Sequence, residues 1–292
     1  MERRLVIEFE GVLAPDNRVT VRTLTKTLSP VQRAVDCIVY YEHFGVVRKF
    51  SILPRDFYDS ADLYLGAPEA NCVSVPLLKE KGRQITQRLR NFLETPYAKA
   101  AEEVQPPSPL SRDIVNAQNN IAHDNVETTT HEKLVEHKEQ REREYIEAKV
   151  VEQINKSLSP IRSSSVGGDD YISLETFDEA GTTRFEFSPA RAKRFNSIAT
   201  NKRLGPIAFF EGTLHGLLEN NSQVFPFVGE FRSNATGRKH NQKLLIPHEE
   251  LAFKLSPANL TKKTIQFYAA PLTSYGAFDE VRGDIVLIQV VN

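Results

Sequence analysis

The chain opens with two runs in which apolar and polar residues alternate, 5–9 (LVIEF) and 18–24 (RVTVRTL), separated by Gly11, Pro15, Asp16 and Asn17. A period of two on either side of turn-forming residues predicts a β-hairpin. The period changes at Ser29, where an N-cap residue precedes Pro30. Val31, Ala34, Val35, Ile38 and Val39 then fall at helical spacing, which predicts a helix over 30–42 that Gly45 ends. Residues 46–53, 62–65 and 71–77 read as extended. Residues 78–94 read as a helix with Ile85, Leu89 and Leu93 on one face and Lys81, Arg83, Arg88 and Arg90 around it. Those cations are read as a solvated face. A sheet with a helix across one face is expected, since each apolar surface then buries the other. A proline-rich stretch, 104–113, breaks the pattern. Residues 128–158 form a long, highly charged helical segment in which Ile146, Val150, Ile154 and Leu158 recur every fourth position, while the first half offers only Leu134 and Val135 to a core. The stretch 161–170 has the composition of a flexible linker.

Residues 170–189 alternate on both sides of DEAG, the signature of a second hairpin, and 190–200 read as helical. Five extended segments follow, 207–218, 223–231, 242–246, 264–270 and 284–291, with a helical run over 248–255 between the third and the fourth. That order resembles the connectivity of an OB-type β-barrel. The resemblance implies a small five-stranded barrel that binds single-stranded nucleic acid, oligosaccharide or another protein. The expected fold class is α+β: an N-terminal sheet with a packed helix over 1–104, a charged helical connector over 105–168, and a hairpin plus OB-like five-stranded β-barrel over 169–292.

Composition narrows the function classes. The chain has no run of about 18 apolar residues, and its first residues alternate apolar with charged instead of forming a signal-peptide block. Cys37 and Cys72 are the only cysteines among 292 residues. A reducing, cytoplasmic setting without membrane attachment is therefore expected. The net charge of -1 is unevenly distributed. Residues 1–100 carry 15 Lys+Arg against 12 Asp+Glu, 101–180 carry 8 against 17, and 181–292 carry 14 against 9. Neither end has the strongly basic footprint of a dedicated nucleic-acid binder.

Candidate chemistry is sparse. His131, Glu132 and His137 invite comparison with a zinc-binding helix, but histidines six apart face nearly opposite sides, so the expectation is a structural role. Glu147, Ala148 and Lys149 have the spacing of a PD-(D/E)xK nuclease triplet yet sit in a helix. Gly168, Asp169 and Asp170 read as a turn. His215, His240 and His248 fall on different elements. No nucleophile elbow, Walker loop or dinucleotide fingerprint is present, so no catalytic residue, metal or cofactor is assigned. Phe225, Phe227 and Phe231 are expected to fill the barrel core. The binding candidates are Arg232, Arg238, Lys239 and Lys243 in and beside the loop after the second segment, with Tyr275 and Phe278 before the fifth; cations that track a backbone beside stacking rings are how such barrels hold single strands. The whole arrangement also resembles accessory subunits of bacterial and phage multi-component systems, antiviral defence included. That resemblance implies a non-catalytic adaptor, its partner a protein or a single-stranded nucleic acid; the charged helix over 128–158 reads as a connector lying partly on its own domains or, alternatively, as an arm for self-association. The alternative is a metal-dependent nuclease built from dispersed carboxylates.

Overall fold

The computed structural model describes residues 5–65, 73–78, 82–102, 109–136, 139–163, 170–178, 181–236 and 240–291. The chain is a mixed α+β protein with two compact units, Met1–Pro106 with Ile146–Thr200, and Pro107–Tyr145 with Asn201–Asn292.

The first unit contains β1 (Leu5–Phe9), α1 (Val21–Phe44), α2 (Tyr58–Ala61), β2 (Tyr64–Leu65), β3 (Val73–Leu78) and α3 (Gly82–Lys99). The chain then contributes α4 (Leu110–Ala122), β4 (Thr129–Thr130) and α5 (His131–Val135) to the second unit. Helix α6 (Glu139–Ser157) leads back to the first, which α7 (Ser159–Ser163), β5 (Ile172–Asp178), β6 (Gly181–Phe187) and α8 (Pro189–Ala199) complete. Its sheet runs β2-β3-β1-β5-β6, antiparallel throughout. Central β1 is buried on both faces: Leu5, Val6, Ile7 and Phe9 are each no more than 3% exposed. Helix α3 packs on β5 and α1 packs against α3 and α7.

Several expectations are corrected here. Residues 18–24 do not pair with β1. Thr20 caps a helix by accepting a hydrogen bond from the Thr23 N–H (3.1 Å), and the buried stripe Thr27, Val31, Ala34, Val35, Ile38 and Val39 runs through it. Alternating β-branched residues imitate a strand, but the cap and the stripe fix α1. Residues 46–53 form turn and coil instead of a strand. The hairpin of β5 and β6 belongs to the N-terminal sheet, with Ile7 opposite Leu174 and Phe9 opposite Ile172, rather than to the barrel. The helix expected over 128–158 is divided into α5 and α6, and α4 begins inside the stretch 104–113 read as a break and runs on to Ala122. The stripe Ile146, Val150, Ile154 and Leu158 is fully buried, so the apolar face of α6 is already occupied.

The second unit continues with β7 (Lys202–Leu204), β8 (Ala208–Glu219), β9 (Phe227–Ser233), β10 (Asn241–Ile246), α9 (Glu249–Thr261), β11 (Thr264–Ser274) and β12 (Ile285–Val291). Strands β8-β9-β10-β12-β11 close on themselves through β8–β11 pairing, with β10 and β12 parallel and the other pairs antiparallel. The result is a closed five-stranded barrel compatible with an OB-like one. Alternate positions fill its interior, including Phe210, Phe231 and Phe267, all 0% exposed, with Phe210 and Phe267 stacked at 5.7 Å. Ala252 and Leu255 of α9 and Leu134 of α5 join the same core. Ile114 and Ala117 of α4 instead meet Leu245, Ala270, Val286 and Ile288, the opposite side-chain set of β10, β11 and β12. Helix α4 therefore covers that part of the outer surface.

Candidate ligand-binding face of the barrel

With α4 over parts of β10, β11 and β12, the outer surface left open among the described residues is carried by β8, β9, the first half of β10 and the first residues of β11. Register sets its composition. Arg232 lies opposite Asn241 on one side and Thr213 on the other; Lys243 lies opposite Glu230. Arg232 Nε donates to Asn241 Oδ1 at 2.6 Å, and Asn241 Nδ2 donates to Glu230 Oε2 at 3.3 Å. Glu211 accepts from Asn234 Nδ2 at 2.8 Å and from Gln266 Nε2 of β11 at 2.7 Å. The face is thus a ladder of hydrogen-bonded polar groups of both signs.

Strand β8 is shaped for this surface. Gly212 lies so close to β9 that a Cβ would overlap the Arg232 carbonyl and the Phe231 ring, so only glycine permits the approach. Two residues on, the register shifts between Leu214 and Gly216, which makes His215 the bulged residue. Its ring is exposed and lies 3.0 Å from Thr213 Oγ1 through Nε2. Bulges of this kind aim a side chain out of the regular ladder.

Beside this face, the segment from β4 into α5 closes one end of the barrel. β9 leaves β8 at Gly212, and β4 takes the vacated edge in parallel, Thr129 opposite Ala208 and Thr130 opposite Phe209. Thr130 caps α5 by accepting from the Lys133 N–H. His131 follows, 1% exposed, its ring against Phe210 at 4.3 Å. Its Nε2 donates to the Glu280 carbonyl (3.1 Å), which leaves Nδ1 to accept from the Ser233 hydroxyl (2.5 Å). Gln242 Nε2 donates to the same carbonyl at 3.3 Å, and the Glu280 carboxylate pairs with Arg141 at 3.4 Å. Burial pushes the His131 pKa below its ordinary value, because the charged ring would lose its water. Both ring nitrogens and the Glu280 carbonyl are engaged in this buried cluster, which fits a structural joint, while the Gln242 Oε1 beside them has no hydrogen-bond partner.

Of the residues singled out from the sequence, Arg232 and Lys243 share the open face. Arg238 and Lys239 lie outside the described residues. Phe278 is half-buried against the barrel core, while Tyr275 sits in a turn at φ 51° with its N–H donating to the Asn201 carbonyl at 3.2 Å. Phe231 is in the core, Phe225 belongs to the cluster beneath α4, and Phe227 packs partly against the core. His131 is a core histidine, and His137 lies outside the described residues. Glu147 and Lys149 lie on α6, where Lys149 pairs with Glu152 at 3.0 Å. Among the described residues, no three His, Cys, Asp or Glu side chains converge as a metal site would require. Glu211, Glu230 and the joint around His131 escape the sequence reading, and His215 enters it only as a lone histidine; the alternation of β8 and β9 carries Glu211, Glu230 and His215, but nothing local joins residue 131 to residues 233 and 280.

No family model, no curated protein and no solved structure matches this chain. Among the described residues no helix is long and apolar enough to cross a membrane.

Proposed function

We propose that the protein is a non-catalytic adaptor that binds a protein partner through the outer face of β8, β9 and β10. The observation that carries this reading is the character of the barrel surface that α4 leaves open among the described residues: both charge signs, amide and hydroxyl groups in register, no aromatic ring standing out from β9 or β10, and on β8 only Phe209, half-buried against Tyr268 of β11. A single strand of nucleic acid takes its affinity from stacking rings and unopposed cations. Here Arg232 is held by Asn241 and Lys243 faces Glu230 across the ladder. Charges of both signs set in register suit the polar, specificity-setting rim of a protein interface. The filled interior argues against a small ligand held inside the barrel.

Nucleic acid stays as the second reading on one observation, the cluster Arg232, Arg238, Lys239 and Lys243 along a single stretch of chain. The setting we propose is a multi-component bacterial or phage system such as antiviral defence, supported by resemblance of arrangement alone. Native purification followed by mass spectrometry and the ratio of absorbance at the nucleic-acid and protein maxima separates the readings. A stoichiometric protein partner with a protein-like ratio supports the first. A nucleic-acid ratio that falls with salt, and falls further on changing Arg232 and Lys243 to Ala, supports the second.

A further inference from the structure

Helix α9 plugs the barrel with Ala252 and Leu255, and its opposite face is unusually apolar. Phe253 is 67% exposed and Leu260 is 80% exposed, with Pro257 exposed between them. These positions are i, i+4 and i+7, which places all three on one stripe about 10 Å long at 1.5 Å per residue. Isolated exposed apolar residues are ordinary, but a stripe along one helix marks a contact surface. The charges at its two ends are segregated, with exposed Lys254 beside Phe253 between them. Glu249 and Glu250 stand exposed at the N-terminal end, and Lys262 and Lys263 stand exposed just past the C-terminal end.

We infer that this face binds a second copy of the same chain through an antiparallel, two-fold pairing of α9 with α9. The sequence of the helix is self-complementary in one register. Setting Phe253 opposite Leu260 of the second copy places Pro257 opposite Ser256 at the crossing point. It also brings Glu250 to the C-terminal end of the second helix, where Lys262 turns the chain at φ 55° and Lys263 follows, and two-fold symmetry repeats both contacts. The acidic end of each helix then meets the basic end of the other. The helix dipoles oppose each other in the same sense, negative charge at the positive end and the reverse. A parallel pairing would set Glu250 against Glu250 and Lys263 against Lys263, which like-charge repulsion disfavours. Small Pro257 and Ser256 at the crossing let the two backbones approach. One helix pair buries an area at the low end for specific interfaces, below about 1,200 Å² in total, so the dimer is a reversible, concentration-dependent one.

Sedimentation equilibrium of the full chain from about 1 μM to about 500 μM tests this, a span that brackets the dissociation constants expected of small interfaces. The mass is expected to rise from one chain toward two. Leu260→Glu is expected to hold it at one chain at every concentration, with an unchanged circular dichroism spectrum and melting temperature because the side chain lies outside the core. Glu250→Lys and Lys263→Glu, each alone, are expected to weaken the dimer about tenfold, since two ion pairs become two repulsions. The double variant Glu250→Lys/Lys263→Glu is expected to restore it. A wild-type protein that stays monomeric across the range overturns the inference. So does a dimer that survives Leu260→Glu, or a double variant no tighter than the singles.

Discussion

Replacing His131 with Ala removes the ring that closes one end of the barrel, and the structure sets the size of the effect. The ring is 1% exposed and packs on Phe210, so its loss forfeits about 1.5 kcal/mol of apolar burial. The Ser233 hydroxyl, also 1% exposed, then loses the acceptor at Nδ1, and a stranded buried donor costs about 1 to 3 kcal/mol. The barrel unit should therefore lose about 2.5 to 4.5 kcal/mol, a large share of the roughly 5 to 15 kcal/mol that holds a typical domain together. Urea unfolding combined with hydrogen exchange of the β8 amides reads this directly. Changing exposed Lys133 on the same helix to Ala serves as control and should cost under about 0.5 kcal/mol. A pH arm sharpens the test. Burial lowers the folded pKa of His131, partly offset by the Glu280 carbonyl and Glu132, so the unfolded chain takes up the proton first. The contribution of the neutral ring is complete above about pH 6.5 and is lost as pH falls through that value toward the lower folded pKa, at up to about 1.4 kcal/mol per pH unit. His131→Ala should lack this acid limb. A variant within about 1 kcal/mol of wild type, with the same acid limb, refutes the account of α5 as a built-in closure.

Two further outcomes follow from the same geometry. Gly212→Ala forces a Cβ against the Arg232 carbonyl and the Phe231 ring, and overpacking of this kind should cost about 1 to 3 kcal/mol in thermal unfolding; a neutral substitution would mean that β8 does not cross β9 as described. Burial pushes the Cys37 thiol up to about 11, so in a Cys72→Ser background its alkylation at pH 8 should be slow and should rise about tenfold per pH unit toward pH 10; rapid labelling at pH 8 in the folded protein would contradict that environment.

The barrel was legible because its strands keep period two and its helix falls where the connectivity needs it; four of the five segments were placed within a few residues, and β11 runs to Ser274, beyond the expected end at 270. Other elements were hidden for physical reasons. The run RVTVRTL alternates like a strand, yet Thr20 caps it into α1, a case of tertiary burial overriding β propensity. Helix α4 was masked by the prolines before it, although Ile114 and Ala117 supply its buried face. The hairpin of β5 and β6 was evident, but its pairing with β1 depends on residues more than 160 positions apart, and no local pattern encodes that. The candidate site shows the same division. Arg232 and Lys243 were found as cations in a polar stretch, while their partners Asn241 and Glu230 emerge only from strand register.

The central claim is that the face of β8, β9 and β10 is where the partner binds. Cross-linking mass spectrometry of the natively purified complex, in wild type and in a Glu230→Lys/Arg232→Glu variant, tests it most directly. These side chains lie outside the core, so the variant should fold and melt like wild type. The account predicts that cross-links from the partner concentrate on Lys243 and its strand neighbours, and that the variant purifies without the partner. A partner retained in full by the variant, with cross-links confined to other surfaces, would contradict it.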